Sequence, residues 1–209
     1  MKNKLFIITM FLTLLGNASN AENFNYDYIE LKVGSTNSDA TEKEIYAVAS
    51  KSMNENVSFR GGLYYYTGDW TTSSNYREQV GKGFYLDSVY NTGITSNTDL
   101  VISAGYSFYS IEATYKQIPG IRFSSNSNTN VDTNIYHASI GIRQKISDSI
   151  EMEAHYRGID VEKSTSSITQ GNFIIMNELS ENTSIGIDYS WNINSSDFNS
   201  TGLFIRRKF

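Results

Sequence analysis

The chain has 209 residues, with 17 Lys and Arg against 22 Asp and Glu, and a net charge of −5 that excludes a broad basic surface for nucleic acid. It holds no Cys, which excludes disulfides, thiolate metal sites and a lipid-modified cysteine. One Pro, 15 Gly, 15 Tyr and 11 Phe describe a β-rich chain, and its negative mean hydropathy fits strands that have one apolar and one polar face.

Residues 1–21 read as a secretory leader. Lys2 and Lys4 form a positive n-region, 5–15 is an apolar run broken by Thr9 and Thr13, and Ser19 and Ala21 are the small residues of a cleavage site. The run falls short of the ~20 apolar residues of a spanning helix. The mature chain is therefore expected to begin at Glu22 and to form one domain over 22–209.

From there the pattern is a short polar turn followed by an alternating, aromatic-rich segment. Turns at 54–56, 97–99, 147–149 and 181–183 precede strands over 57–66, 100–110, 150–160 and 184–192. The opposite connections, 36–41, 68–78, 116–133, 162–167 and 193–199, are longer and polar. The spacing predicts ten strands, near 24–35, 42–53, 56–67, 79–90, 99–115, 132–146, 149–161, 168–179, 183–193 and 200–209. Eight is the alternative if a weak pair, such as 42–53 with 79–90, is misread. Most of these strands reach the ~9–11 residues that cross a bilayer at a tilt. An even number places both termini on one side, expected to be periplasmic.

Alternation assigns the faces. Ile185, Ile187, Tyr189, Trp191 and Ile193 oppose Ser184, Gly186, Asp188, Ser190 and Asn192. Ile150, Met152, Ala154 and Tyr156 oppose Glu151, Glu153, His155 and Arg157. Apolar residues at every second position suit lipid, and the polar ones an interior. Tyr65, Phe108, Tyr156 and Trp191 are expected in an outer aromatic girdle, and Phe59 and Phe209 in an inner one. The fold class is all-β: a transmembrane antiparallel up-and-down β-barrel, in the outer membrane of a Gram-negative bacterium.

From Tyr26 to Phe209 the chain resembles the small outer-membrane β-barrel proteins, the group of OmpA-type transmembrane domains and OmpX/Ail-like barrels. The leader, strands such as Val101-Ile-Ser-Ala-Gly-Tyr106, and the terminal Phe209 carry the resemblance. It implies that Phe209, with Ile205 and Leu203, is an assembly signal read by the barrel-assembly machinery, although Arg207 interrupts the pattern. It specifies architecture and leaves function open.

A hairpin centred on Asp148 pairs positions that sum to about 296, so Lys145 faces Glu151 and Arg143 faces Glu153, all pointing inward. With His155 and Arg157 these residues form a candidate lumen charge network. Glu30, Lys32, Arg60, Asp87, Asp188, Arg206 and Lys208 are further lumen charges. The network is read as an ion-pair plug; the alternative is a pore lining that selects by charge. His137-x-Ser139 with Glu151 carries the residue types of a catalytic triad. The hairpin register separates His137 from Glu151 by on the order of 20 Å along the strands, so no triad is expected. His155 is expected to be structural rather than a metal ligand. In the longer connections, Trp70 and Tyr76 are candidate loop contacts, and 116–133 carries Pro119.

The expected function is that of a non-catalytic, monomeric outer-membrane barrel with a charge-filled lumen and a structural or surface-interaction role; the alternative is a narrow, porin-like channel for ions or small solutes. No cofactor is expected. The expected partners are outer-membrane lipid, lipopolysaccharide and the assembly machinery.

Overall fold

The computed structural model describes residues 24–37, 41–71, 75–117, 127–162, 167–194 and 199–209; the leader and Pro119 lie outside the described residues. Ten strands follow one another: β1 (Tyr28–Asn37), β2 (Thr41–Ser52), β3 (Val57–Thr71), β4 (Asn75–Thr95), β5 (Thr98–Gln117), β6 (Ser127–Lys145), β7 (Ile150–Val161), β8 (Ser167–Ser180), β9 (Thr183–Asn192) and β10 (Asn199–Lys208). Each pairs antiparallel with its sequence neighbours, and β1 closes on β10, so the sheet has no edge. The count is ten, not eight. Closure satisfies the ladder of every strand internally, which a structure surrounded by lipid requires.

The barrel is apolar outside and polar inside. Leu31, Val33, Ile45, Leu63, Leu86, Ile140, Ile187, Leu203 and Ile205 are exposed outward. Glu30, Asp87, Asp99, Arg143, Glu151, Glu153, Asp188, Arg206 and Lys208 are buried inward. Such an apolar belt far exceeds the patches tolerated on soluble monomers. Each Leu or Ile fully removed from water contributes roughly 1.5–3 kcal/mol, so lipid is the solvent this surface fits. No helix among the described residues is long and apolar enough to cross a membrane, which leaves the crossing to strands. Aromatic rings group on the outer surface. Phe84 meets Tyr106 and Phe108 at 6.2 and 6.0 Å, Tyr106 meets Tyr136 at 5.5 Å, and Tyr189 meets Trp191 at 5.8 Å.

The start of β1, the C-terminal residue Phe209 and the four short turns share one end, called the near end here; the longer connections join the strands at the far end. The wall is uneven. β4, β5 and β6 run 21, 20 and 19 residues, whereas β1, β9 and β10 have 10 each. At ~3.3 Å per residue the long strands extend well past the hydrocarbon layer.

Three expectations change at the margins. Residues 24–27, expected to open the first strand, precede β1 and turn into the near mouth, where Phe24 and Tyr26 are buried. Most of 68–78 is strand, because β3 and β4 pair up to Thr71↔Tyr76. The expected loop 116–133 likewise loses both flanks to β5 and β6, and 118–126 lies outside the described residues. Above the membrane both faces are wet, so 127–132 is exposed on either side and shows no alternation.

Inside the far half, rings lie over glycines on the neighbouring strand. Tyr66 covers Gly81, and Tyr64 covers Gly83 with its hydroxyl donating to the Phe108 carbonyl at 3.1 Å. A Cβ at Gly83 would stand 1.9 Å from that carbonyl oxygen, so the close approach requires glycine.

Candidate functional site

The β6–β7 hairpin sets the lumen network. Its register places Lys145 opposite Glu151, Arg143 opposite Glu153, and His137 opposite Ile159. The ion pairs run diagonally as well as straight across. Arg143 donates to Glu151 through Nη2 at 2.5 Å and Nε at 3.0 Å, and its Nε lies 3.4 Å from Glu153. Lys208 of β10 reaches across to Glu151 at 3.3 Å and also pairs with Glu178 of β8. Arg206 pairs with Glu30 of β1 at 2.8 Å and approaches Glu153 at 3.6 Å. One connected set of charges therefore ties β1, β6, β7, β8 and β10 together near the turn end.

Aromatic rings cover the two guanidinium groups. Phe24 and Tyr26 hold their ring centres 4.7 and 5.0 Å from the Arg143 guanidinium carbon, and Tyr28 lies 4.1 Å from that of Arg206. Tyr26 donates its hydroxyl to Asp99 at 3.1 Å. Arg143 is 1 % exposed and Asp99 0 %. Guanidinium keeps its proton under any ordinary condition, so its charge there must be matched by neighbours. Sequence reasoning missed Phe24, Tyr26 and Asp99. Their alternation looked like strand, and no pattern signals a segment folded back into a mouth.

The remaining candidate residues are placed differently. Lys145, at the end of β6, makes no ion pair among the described residues, because the longer and more central Arg143 takes Glu151. His155 lies against Gly141 and pairs through Nε2 with Glu153 at 3.2 Å. Arg157 points into the lumen above it, apart from the ion-pair set. His137 pairs with Asp87 at 2.6 Å, which also holds Arg60 at 2.6 Å, while Ser139 shares a hydrogen bond with Ser103 at 2.7 Å. His137 and Glu151 thus belong to separate networks, and no catalytic triad forms from them. No group of three His, Cys, Asp or Glu residues with metal-binding geometry occurs among the described residues.

From this network upward the lumen holds a cavity of about 480 Å³. It runs from Tyr26 and Arg143 up to Thr36, Glu42, Asn192 and Ser200. Its carboxylates are engaged. Lys32 pairs with Asp188 at 2.9 Å, Glu44 accepts from Thr36 at 2.6 Å and Tyr46 at 3.2 Å, and Gln79 donates to Glu42 at 2.6 Å.

At the rims, Trp70 falls in β3 opposite Arg77, and its side chain lies outside the described part of the structure. The Tyr76 hydroxyl donates to Asp69 at 3.3 Å, so this residue stands on a strand and not on a loop tip. Phe209 exposes its ring outward with the Lys51 ammonium 5.4 Å from the ring centre. Next to it Asp27, outside the strands, accepts from the Ser52 amide at 2.6 Å and pairs with Lys51. Burial raises the carboxyl pKa, but the Lys51 and Ser52 hydrogen bonds outweigh this and hold it below the usual carboxylate value.

The architecture is that of an outer-membrane β-barrel. The translocator domain of the autotransporter NalP from Neisseria meningitidis is similar with a TM-score of 0.57 at 9% identity, over 100% of this chain and 98% of that one. The transport unit of the autotransporter AIDA-I from Escherichia coli is similar with a TM-score of 0.56 at 10% identity, over 96% of this chain and 97% of that one. At such identities the likeness is one of fold. No protein-family model matches the sequence, and no curated protein does.

Proposed function

We propose that this chain, exported by its leader and seated in a Gram-negative outer membrane as a monomer, is a non-catalytic barrel. Its near end faces the periplasm and is closed by charged side chains. Its role is structural or one of surface interaction, with lipid and lipopolysaccharide around its belt and Phe209 read by the assembly machinery. The single observation that supports this reading best is Arg143, fully enclosed between Glu151, Glu153 and the rings of Phe24 and Tyr26. Paired charges spanning a narrow bore act as struts, not as an open field for passing ions.

The 480 Å³ cavity supports a second reading, a narrow channel whose remaining barrier is the N-terminal segment. Single-channel recording of chain 22–209 in a planar bilayer, with insertion verified independently, separates the two. A silent membrane for both 22–209 and 28–209 is the expected result, because the ion pairs of the network all lie within 28–209. Openings for 28–209 alone would instead assign the barrier to the N-terminal segment. Stable openings of 22–209 itself would replace the closed barrel with the channel.

A further inference from the structure

We propose that the far half of the lumen contains an oxyanion-binding site centred on Arg157, sized for the carboxylate or phosphate group of a small solute. The inference goes beyond the closed-barrel reading and does not depend on it.

Arg157 differs from the other cations that line the cavity. Lys32 pairs with Asp188, Arg60 with Asp87, Arg143 with Glu151 and Arg206 with Glu30. Arg157 has no carboxylate within ion-pair distance among the described residues, and its Nε, shielded from solvent, donates to no acceptor. A half-buried guanidinium cannot shed its proton to escape the cost of an unmatched charge. Its planar fork instead fits two oxygens of one carboxylate or phosphate.

The surroundings suit such a guest. The inward neighbours of Arg157 in the ladder are Ser139 on β6 and Gln170 on β8, followed by Ser103 on β5 and Asn192 on β9. All four line the cavity and are uncharged. Gln170 and Asn192 can donate to a guest, and so can whichever of Ser103 and Ser139 does not spend its proton on the hydrogen bond they share. Tyr109 lines the same cavity. The far carboxylates that line the cavity are turned to other partners, Glu44 to Thr36 and Tyr46, Glu42 to Gln79 and Asp188 to Lys32, and none of the three pairs with Arg157. A volume of about 480 Å³ falls within the range of small-molecule pockets, roughly 300–1,000 Å³.

The test is a titration of chain 22–209 in micelles, followed through its arginine ¹⁵Nε resonances. Inorganic phosphate is the probe in one arm and sodium acetate in another, with sodium chloride at matched ionic strength as the control. The Arg157 signal, assigned by its loss in Arg157→Gln, is expected to shift saturably while those of Arg143 and Arg206 stay fixed. Saturation by phosphate alone or by acetate alone assigns the group recognised. Arg157→Lys keeps the charge but loses the fork, and is expected to bind about tenfold more weakly or worse. An Arg157 signal that moves only with ionic strength, as in the sodium chloride control, would overturn the proposal. A saturable response that survives in Arg157→Gln would overturn it equally. Bilayer conductance by 22–209 overturns the closed barrel and leaves this result standing.

Discussion

The near and far halves of this lumen use the same residue types to opposite ends. In the near half, every carboxylate of the Arg143 set is matched by a cation, and the guanidinium groups are roofed by Phe24, Tyr26 and Tyr28. In the far half, neutral donors replace the acids beside Arg157, and the walls are spaced by tyrosines resting on glycines. A polar interior therefore becomes a partition or a chamber according to whether its charges find each other. Stability in the first rests on ion pairs, and in the second on the fit of rings to backbone.

The largest expected effect would come from Arg143→Ala. It leaves Glu151 and Glu153 short of a partner in a buried setting, at a cost of about 3–5 kcal/mol in urea unfolding of the micelle-bound protein. Arg157→Gln is expected to stay within about 0.5 kcal/mol of the parent, since no protein partner is lost. Equal losses for the two variants would break the contrast between halves. Next, Gly83→Ala forces a methyl group against the Phe108 carbonyl and the Tyr64 ring, at a cost of about 1–3 kcal/mol in the same assay. An unchanged midpoint would mean that the far wall is looser than its ring contacts indicate.

The smallest effect concerns the near rim. Asp27 has a folded pKa below its unfolded value, so it contributes stability above the unfolded value, near 3.9, and loses it as pH falls through the folded one. Asp27→Asn is expected to flatten the acid limb of stability against pH slightly and to leave neutral pH nearly unchanged, because Lys51 is well exposed. A parent and variant with superimposable acid limbs would show that the rim pair adds nothing.

The barrel itself was legible because lipid on one side and a polar bore on the other impose a period of two, and because short turns such as 147–149 fix the register of their hairpins by arithmetic. The upper parts of β4 to β6 were not, since strand outside the membrane is wet on both faces. The charge network was legible as a set of inward residues, but not in its pairings. Arg143 is long enough to reach diagonally, so it claims the carboxylate that Lys145 faces in the ladder. Phe24 and Tyr26 share the spacing of lipid-facing aromatics yet lie inside, roofing a cation. Nor does any local pattern show that Arg157 is left unmatched, because that depends on strands far apart in sequence.

The rings seated on glycines bear on how the barrel closes. Tyr64, Tyr66 and Tyr85 stand opposite Gly83, Gly81 and Gly62 in the β3–β4 ladder. A slip of two residues would preserve every inside–outside assignment, so the alternation of apolar and polar residues cannot reject it. In one direction that slip sets Tyr64 against Tyr85, and in the other it sets Gly62 against Gly83 and strands Tyr66 beside Gln79. The glycine seats thus work as a key cut for one alignment, proofreading strand pairing where hydrophobicity is blind.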